Sequence, residues 1–157
     1  MLDDEYYIDL AILEAKKSLK SGGIPIGAIL VDNSGNIVSK GYNRLIQEDS
    51  VILHAEMDAI ENAGRLFYED YQNLTLYTTL SPCPMCSGAI VLYNIPNVVI
   101  GDNISLKGAE NFLIKNNVSV KVLNNSNCRN LFLNYIDENK DVWMKELERV
   151  GNSTESL

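Results

Sequence analysis

His54-Ala55-Glu56 is followed, after 25 intervening residues, by Pro82-Cys83-Pro84-Met85-Cys86. One imidazole and two thiols supply three zinc ligands. Catalytic zinc sites take three ligands from protein and leave the fourth position to water, whereas structural sites take four. The cysteines stand three apart, so a helix sets both thiols on one face. At a helix N-terminus the dipole and the free N–H groups favour thiolates, and two thiolates with a neutral imidazole make a formally neutral zinc site. Glu56 is not needed as a ligand. Beside the metal it can take a proton from the bound water and deliver it to a substrate, provided it reaches both. On a regular helix His54 and Glu56 diverge by about 200°, so the motif must lie in a helix's first turn, with the longer Glu bending back. A Cys-x-x-Cys pair by itself also fits structural zinc or redox chemistry, but the redox reading does not account for His54-Ala55-Glu56, which holds the one histidine of the chain, and structural zinc takes four protein ligands.

Periodicity locates the elements that must carry these residues. Ile8, Ala11, Ile12, Ala15 and Leu19 form one apolar stripe on a helix from about Asp4 to Leu19, stopped by Ser21-Gly22-Gly23. Pro25 to Val31 and Ile37 to Tyr42, joined by a turn over Asp32 to Asn36, read as an antiparallel hairpin. Next come a helix from His54 to Leu66, a strand from Leu74 to Leu80, a helix from Cys83 to Tyr93 and a short strand from Val98 to Ile100. A helix over Lys107 to Lys115 and a strand over Val118 to Leu123 follow. Two helices, Asn127 to Ile136 and Val142 to Val150, meet at a joint over Asp137 to Asp141. Alternation after the hairpin predicts an α/β fold, a three-layer α/β/α sandwich on a five-stranded, mostly parallel mixed sheet. Ligands of such sheets sit at the carboxyl ends of strands, where Leu80-Ser81-Pro82-Cys83 leaves a strand and opens a helix.

The 157 residues fit one domain, read as 1–150 with a polar tail at 151–157. A net charge of −8, with the 13 Lys and Arg scattered, argues against a nucleic-acid partner. No run approaches ~18 apolar residues, so no membrane span is expected. The acidic start Met1-Leu2-Asp3-Asp4-Glu5 is unlike a signal peptide, and three cysteines, an odd number with a close pair, suit a reducing cytoplasm and a metal site. Cys128 reads as a small buried apolar residue.

H-x-E followed by P-C-x-x-C resembles the signature of the zinc deaminases. Further blocks are Gly22-Gly23-Ile24-Pro25-Ile26-Gly27, Gly41-Tyr42-Asn43, Leu76-Tyr77-Thr78-Thr79-Leu80-Ser81, Gly88-Ala89-Ile90, Tyr135-Ile136-Asp137-Glu138 and then Trp143. In that order, over nearly the whole chain, they are similar to the fungal-type cytosine deaminases of the cytidine/deoxycytidylate deaminase superfamily. The resemblance implies zinc on His54, Cys83 and Cys86, Glu56 as proton shuttle, and hydrolysis of cytosine to uracil and ammonia. It further implies that Asn43 and the backbone N–H of Ala55 bind the pyrimidine carbonyl oxygen. The backbone carbonyl of Ser81 would accept from the departing amino group, and Trp143 would close the pocket. It also implies a homodimer, for which the apolar helix segment Gly88 to Tyr93 is a candidate interface or, equally, core. Two positions depart from the family pattern. Leu106 stands where an aromatic residue is expected to pack on the ring, losing that stacking, and Glu146 is one methylene longer than the family's Asp. From the residues alone, Asn43 also fits a turn cap, Trp143 a core residue and Glu146 a solvated surface charge. Guanine deamination, tRNA adenosine deamination and a non-catalytic zinc module remain the competing functions.

Overall fold

The computed structural model describes residues 2–152. Helix α1 (Asp4–Lys20) is N-capped by Asp3 and buries Ile8, Ala11, Ile12 and Ala15. The stripe ends differently from its sequence reading. Leu19 is exposed, and Ser18 is buried in its place because its hydroxyl donates to the carbonyl of Asn43 at 2.6 Å. Ser21 closes the helix and Gly22 takes a positive φ of 89°. Strands β1 (Gly27–Asp32) and β2 (Ile37–Tyr42) form the expected hairpin. β1 starts at Gly27 rather than Pro25, since proline has no N–H for the ladder and the Ile26 N–H turns back to Ile24 O.

The remaining elements are α2 (Ala55–Ala63), α3 (Tyr68–Tyr71), β3 (Leu74–Leu80), α4 (Pro84–Leu92), β4 (Asn97–Asp102), α5 (Glu110–Lys115), β5 (Ser119–Val122), α6 (Ser126–Glu138) and α7 (Lys140–Arg149). The sheet order is β2-β1-β3-β4-β5. β1 is antiparallel to both neighbours, while β3, β4 and β5 pair in parallel. Four strands therefore run the same way, but the ladders divide evenly between the two kinds. The crossover through α2 passes over β1 instead of joining adjacent strands, which is how one reversed strand comes to sit inside the sheet.

Alternation along the strands builds two cores. Ala28, Leu30, Leu76, Val98 and Ile100 face one side with Ala55, Ala59, Ile90 and Leu113, while Ile29, Val31, Tyr77 and Val99 face the other with Tyr7, Ile8, Ile12 and Cys128. α2 lies tight against β2, since a Cβ on Gly41 would meet the Ala59 nitrogen at 2.3 Å. A third cluster of Ile24, Leu45, Leu80, Phe132, Tyr135, Trp143 and Leu147 caps the sheet's end, where β2, β3 and β4 all finish. The joint between α6 and α7 is Asn139 alone, C-cap of one helix and N-cap of the other. Gly151 and Asn152 turn back onto α7, with the Asn152 N–H on Leu147 O at 3.0 Å; the rest of the tail lies outside the described residues. No helix among the described residues is long and apolar enough to cross a membrane.

Candidate active site

His54 is the N-cap of α2, with φ −64° and ψ 159°, so Ala55 and Glu56 are the first two helical residues. This is the first-turn placement that the spacing of the motif requires. The side chain of His54 makes no capping bond to α2. The N–H of Ala55, at the first helical position, is one of the donors that have no partner within the helix. Cys83 is likewise the N-cap of α4, accepts from the Cys86 N–H, and is followed by Pro84 in the first turn, where proline's missing N–H is harmless.

These caps converge. Cys83 Sγ lies 3.4 Å and Cys86 Sγ 3.6 Å from His54 Nδ1, and all three donors fall within 4.8 Å of one another. Tetrahedral arms of about 2.0 Å to nitrogen and 2.3 Å to sulfur put such donors about 3.6 Å apart, so the set fits one zinc ion, bound through Nδ1. The electrostatics agree. Its hydrogen bond with Cys86, opposed by burial and aided by His54, lowers Cys83 to about 4. The same bond and burial push Cys86 up. Burial resists protonation of His54, but the Cys83 bond and the charges of Glu56 and Cys83 outweigh it and raise the imidazole. A cation held here would take both thiols and the imidazole in their deprotonated forms.

Glu56 is buried, with Oε1 3.1 Å from Thr78 Oγ1 and Oε2 3.5 Å from Cys86 Sγ. Loss of hydration raises its carboxyl above the ordinary range, partly opposed by His54. A cavity of about 490 Å³ opens beside it. Asn43, His54, Glu56, Ser81, Cys83, Leu106, Trp143 and Glu146 all line it, with an apolar wall of Ile24, Ile26, Leu45 and Leu80. Asn43 accepts the Leu45 N–H at Oδ1, 3.1 Å away, which turns its NH₂ into the donor available to a ligand. The Ser81 hydroxyl is occupied, donating to Glu110 at 2.7 Å and accepting from the Gly108 N–H at 2.9 Å. What Ser81 can offer the cavity is its backbone carbonyl. Trp143 is buried, edge-on to Phe132 with centroids 5.2 Å apart, and its indole N–H has no partner among the described residues. Glu146 pairs with Arg149 at 3.2 Å at the cavity's edge. Ala55 and Cys86 are fully buried and are not among the residues that line the cavity.

Thr78, Glu110, Arg149 and Asn152 belong to the site or support it, yet sequence reasoning did not single them out. Thr78, one of three threonines in β3, and Glu110, beside Asn111 at the start of α5, carry no local signal that separates them from their neighbours.

Residues 1–102 match the cytidine and deoxycytidylate deaminase zinc-binding region. The chain belongs to this family. Within the deaminases, it is 44% identical over 145 residues to cytosine deaminase of Candida albicans, spanning 92% of this chain and 97% of that one. It is 46% identical over 102 residues to the tRNA-specific adenosine deaminase of Bacillus subtilis, 64% of this chain and 63% of that protein. The solved guanine deaminase of Nitrosomonas europaea shares the fold, with a TM-score of 0.73 at 20% identity over 86% of this chain and 85% of the other. For a zinc-binding deaminase domain, His54, Cys83 and Cys86 form a group that could hold one metal ion.

Proposed function

We propose that the chain hydrolyses free cytosine to uracil and ammonia, with His54, Cys83 and Cys86 holding the zinc and Glu56 moving the protons. The observation that carries this reading is the buried Glu56 carboxylate, beside the metal donors and on the wall of the cavity. The likeness to the Candida albicans cytosine deaminase along nearly its whole length supports the choice of base. When bound, zinc supplies a Lewis acid that brings the pKa of a water towards neutrality. Glu56 would take a proton from the attacking water and hand it to the ring nitrogen beside C4, as the water oxygen adds to C4. Glu56 then passes the second proton to the amino group, the C4–N bond breaks and ammonia leaves. Asn43 Nδ2 and the Ala55 N–H hold the carbonyl oxygen, and the Ser81 carbonyl receives the amino hydrogens. Leu106 packs on the ring, Trp143 excludes water and Glu146 accepts a ring N–H.

In a cell, this activity serves pyrimidine salvage in a reducing cytoplasm, and the working form is a homodimer. Residues 71–101 carry no Asp, Glu, Lys or Arg, yet Leu92 on α4 is 69% exposed, an uncharged surface suited to a second copy.

Leucine at 106 favours one alternative, a bulkier base such as guanine. Transfer RNA is disfavoured by the charge of −8 and by the α7 cover over the pocket. A non-catalytic zinc module needs a fourth protein donor, and the metal-donor group among the described residues has three. Ammonia release measured across cytosine, guanine, adenine, cytidine and tRNA tests the reading. Turnover of cytosine well above the others is expected; turnover confined to another compound overturns it.

A further inference from the structure

Asp58 is a buried carboxylate, 2% exposed, that the chemistry above does not use. It stands on α2, one turn beyond His54. Its Oδ2 accepts the Tyr42 N–H at 3.0 Å and its Oδ1 accepts Arg44 Nη2 at 2.7 Å. These two partners flank Asn43 on either side. The other bonds of Asn43 run elsewhere: its N–H to Ile26 O, its carbonyl from the Ser18 hydroxyl and the Gln47 amide, and its Oδ1 from the Leu45 N–H. The bonds of Asp58 therefore supply what those do not, a tie between the end of β2 and the helix carrying Ala55 and Glu56.

The geometry points to Asp58, with Arg44, as a positioning pair that sets the Asn43 amide against the Ala55 N–H so that both donors meet on one carbonyl oxygen of the base. The proposal rests on Asn43 being a base contact. Two donors on separate elements must converge within a few tenths of an ångström to share an acceptor. The loop 44–54 joins them, and β2 is also held to α2 by the Ser39 hydroxyl on Ala59 O, the Asn62 amide on Lys40 O and the close packing of Gly41, but the Asp58 bonds are the ones that grip the two neighbours of Asn43. Stability is a weak reason for a buried ion pair, because its desolvation offsets its attraction. Its effect here is on the direction of the segment it grips. Arg44 is suited to this by its planar fork, which a lysine lacks.

The test uses Asp58→Asn, Arg44→Met and Arg44→Lys in the full chain. Each is measured for zinc content, melting temperature, kcat and KM on the best base, and for the Asn43 side-chain amide signals in ¹⁵N-labelled protein without substrate. Loss of one well-placed hydrogen bond is worth about tenfold. KM should rise about tenfold in Asp58→Asn and Arg44→Met with kcat within about threefold, the signature of lost uniform binding. Zinc should stay near one per chain, the Asn43 amide signals should move, and Arg44→Lys should recover part of the loss. Unmoved KM and unmoved Asn43 signals, with only the melting temperature lowered, overturn the proposal. So does a fall in zinc or in kcat alone, which would place Asp58 with the metal half of the site. If Asp58→Asn fails to fold, the two Arg44 variants decide, since that side chain is partly exposed. If the wild-type chain deaminates no base, the proposed function fails by itself, and the Asn43 signals still decide for or against Asp58.

Discussion

Thr78 Oγ1 stands 3.1 Å from Glu56 Oε1 and 3.1 Å from the carbonyl oxygen of Leu80. A hydroxyl has one proton and can also accept. With Glu56 ionised, Thr78 donates to it. With Glu56 protonated, the carboxyl can donate to Thr78, whose own proton turns to Leu80. One side chain thus satisfies both states of a buried proton carrier. Glu56→Gln should keep fold and zinc but lower kcat by at least ~10²–10⁴-fold, the range for a general acid–base group. Thr78→Val removes a bond to a buried charge, worth about 1.5–3 kcal/mol, and should lower kcat by about 10–100-fold with zinc retained. Steady-state kinetics beside metal analysis checks both, and near-wild-type turnover in Glu56→Gln would mean that another group moves the proton.

The metal site makes a prediction about thiols as well as about activity. Protein purified without added metal should carry about one zinc per chain. A strong chelator should abolish turnover and expose Cys83, the half-buried member of the pair with its thiol lowered to about 4, to a thiol reagent at neutral pH. Activity that survives complete metal removal would refute the zinc mechanism.

Cys128 bears on stability. Burial, with lesser repulsion from Asp102 and other acids, raises its thiol from 9.0 to about 12. A raised folded pKa means that stability is complete below the unfolded value and is lost as pH climbs from about 9 to about 12. At pH 10.5 the unfolded chain is favoured by about 2 kcal/mol through this group. Cys128→Ala costs packing at every pH but should remove that alkaline slope. Urea unfolding of both proteins at pH 8 and 10.5 measures the difference, and equal slopes would rule the effect out.

The chemistry was more legible in the sequence than its support. Ligand type and number, and the demand that His54 open a helix, follow from spacing and reach, which are local. The bounds of β3 were legible because seven buried residues end at Ser81-Pro82. The start of α5 was not. Lys107 to Ala109 look helical, but Gly108 packs on Pro82 O, and the Ala109 N–H bonds that oxygen at 2.8 Å. That contact crosses the fold and leaves no trace in periodicity. α3 has only four residues, too few for a period. The reversed β1 depends on which strands become neighbours, a long-range choice.

Assembly can be checked directly. The exposed Leu92 and the uncharged run around α4 should be covered in a dimer. Light scattering at micromolar concentration should give twice the chain mass of 17.5 kDa, and Leu92→Glu should shift it towards the monomer. A wild-type monomer would remove the dimer from the reading.

Leu106 gives the riskiest prediction. It lines the cavity and packs with the cluster of Leu80, Phe132, Trp143 and Leu147. If it covers the substrate ring, Leu106→Phe restores an aromatic contact worth ~0.5–1.5 kcal/mol beyond area burial. Cytosine kcat/KM then rises several-fold, at about 1.4 kcal/mol per tenfold. The gain requires room. Trp143 and Phe132 already meet edge-on behind this wall, and overpacking costs ~1–3 kcal/mol, enough to reverse the sign. Kinetics on cytosine, 5-substituted cytosines and guanine separates the cases. A gain for cytosine marks a pocket slightly relaxed around a pyrimidine. A loss for cytosine and guanine alike marks a pocket fitted to leucine, with Glu146 as its polar partner. No response from any base would mean that Leu106 does not touch the ring, and its assignment as a substrate contact would fall.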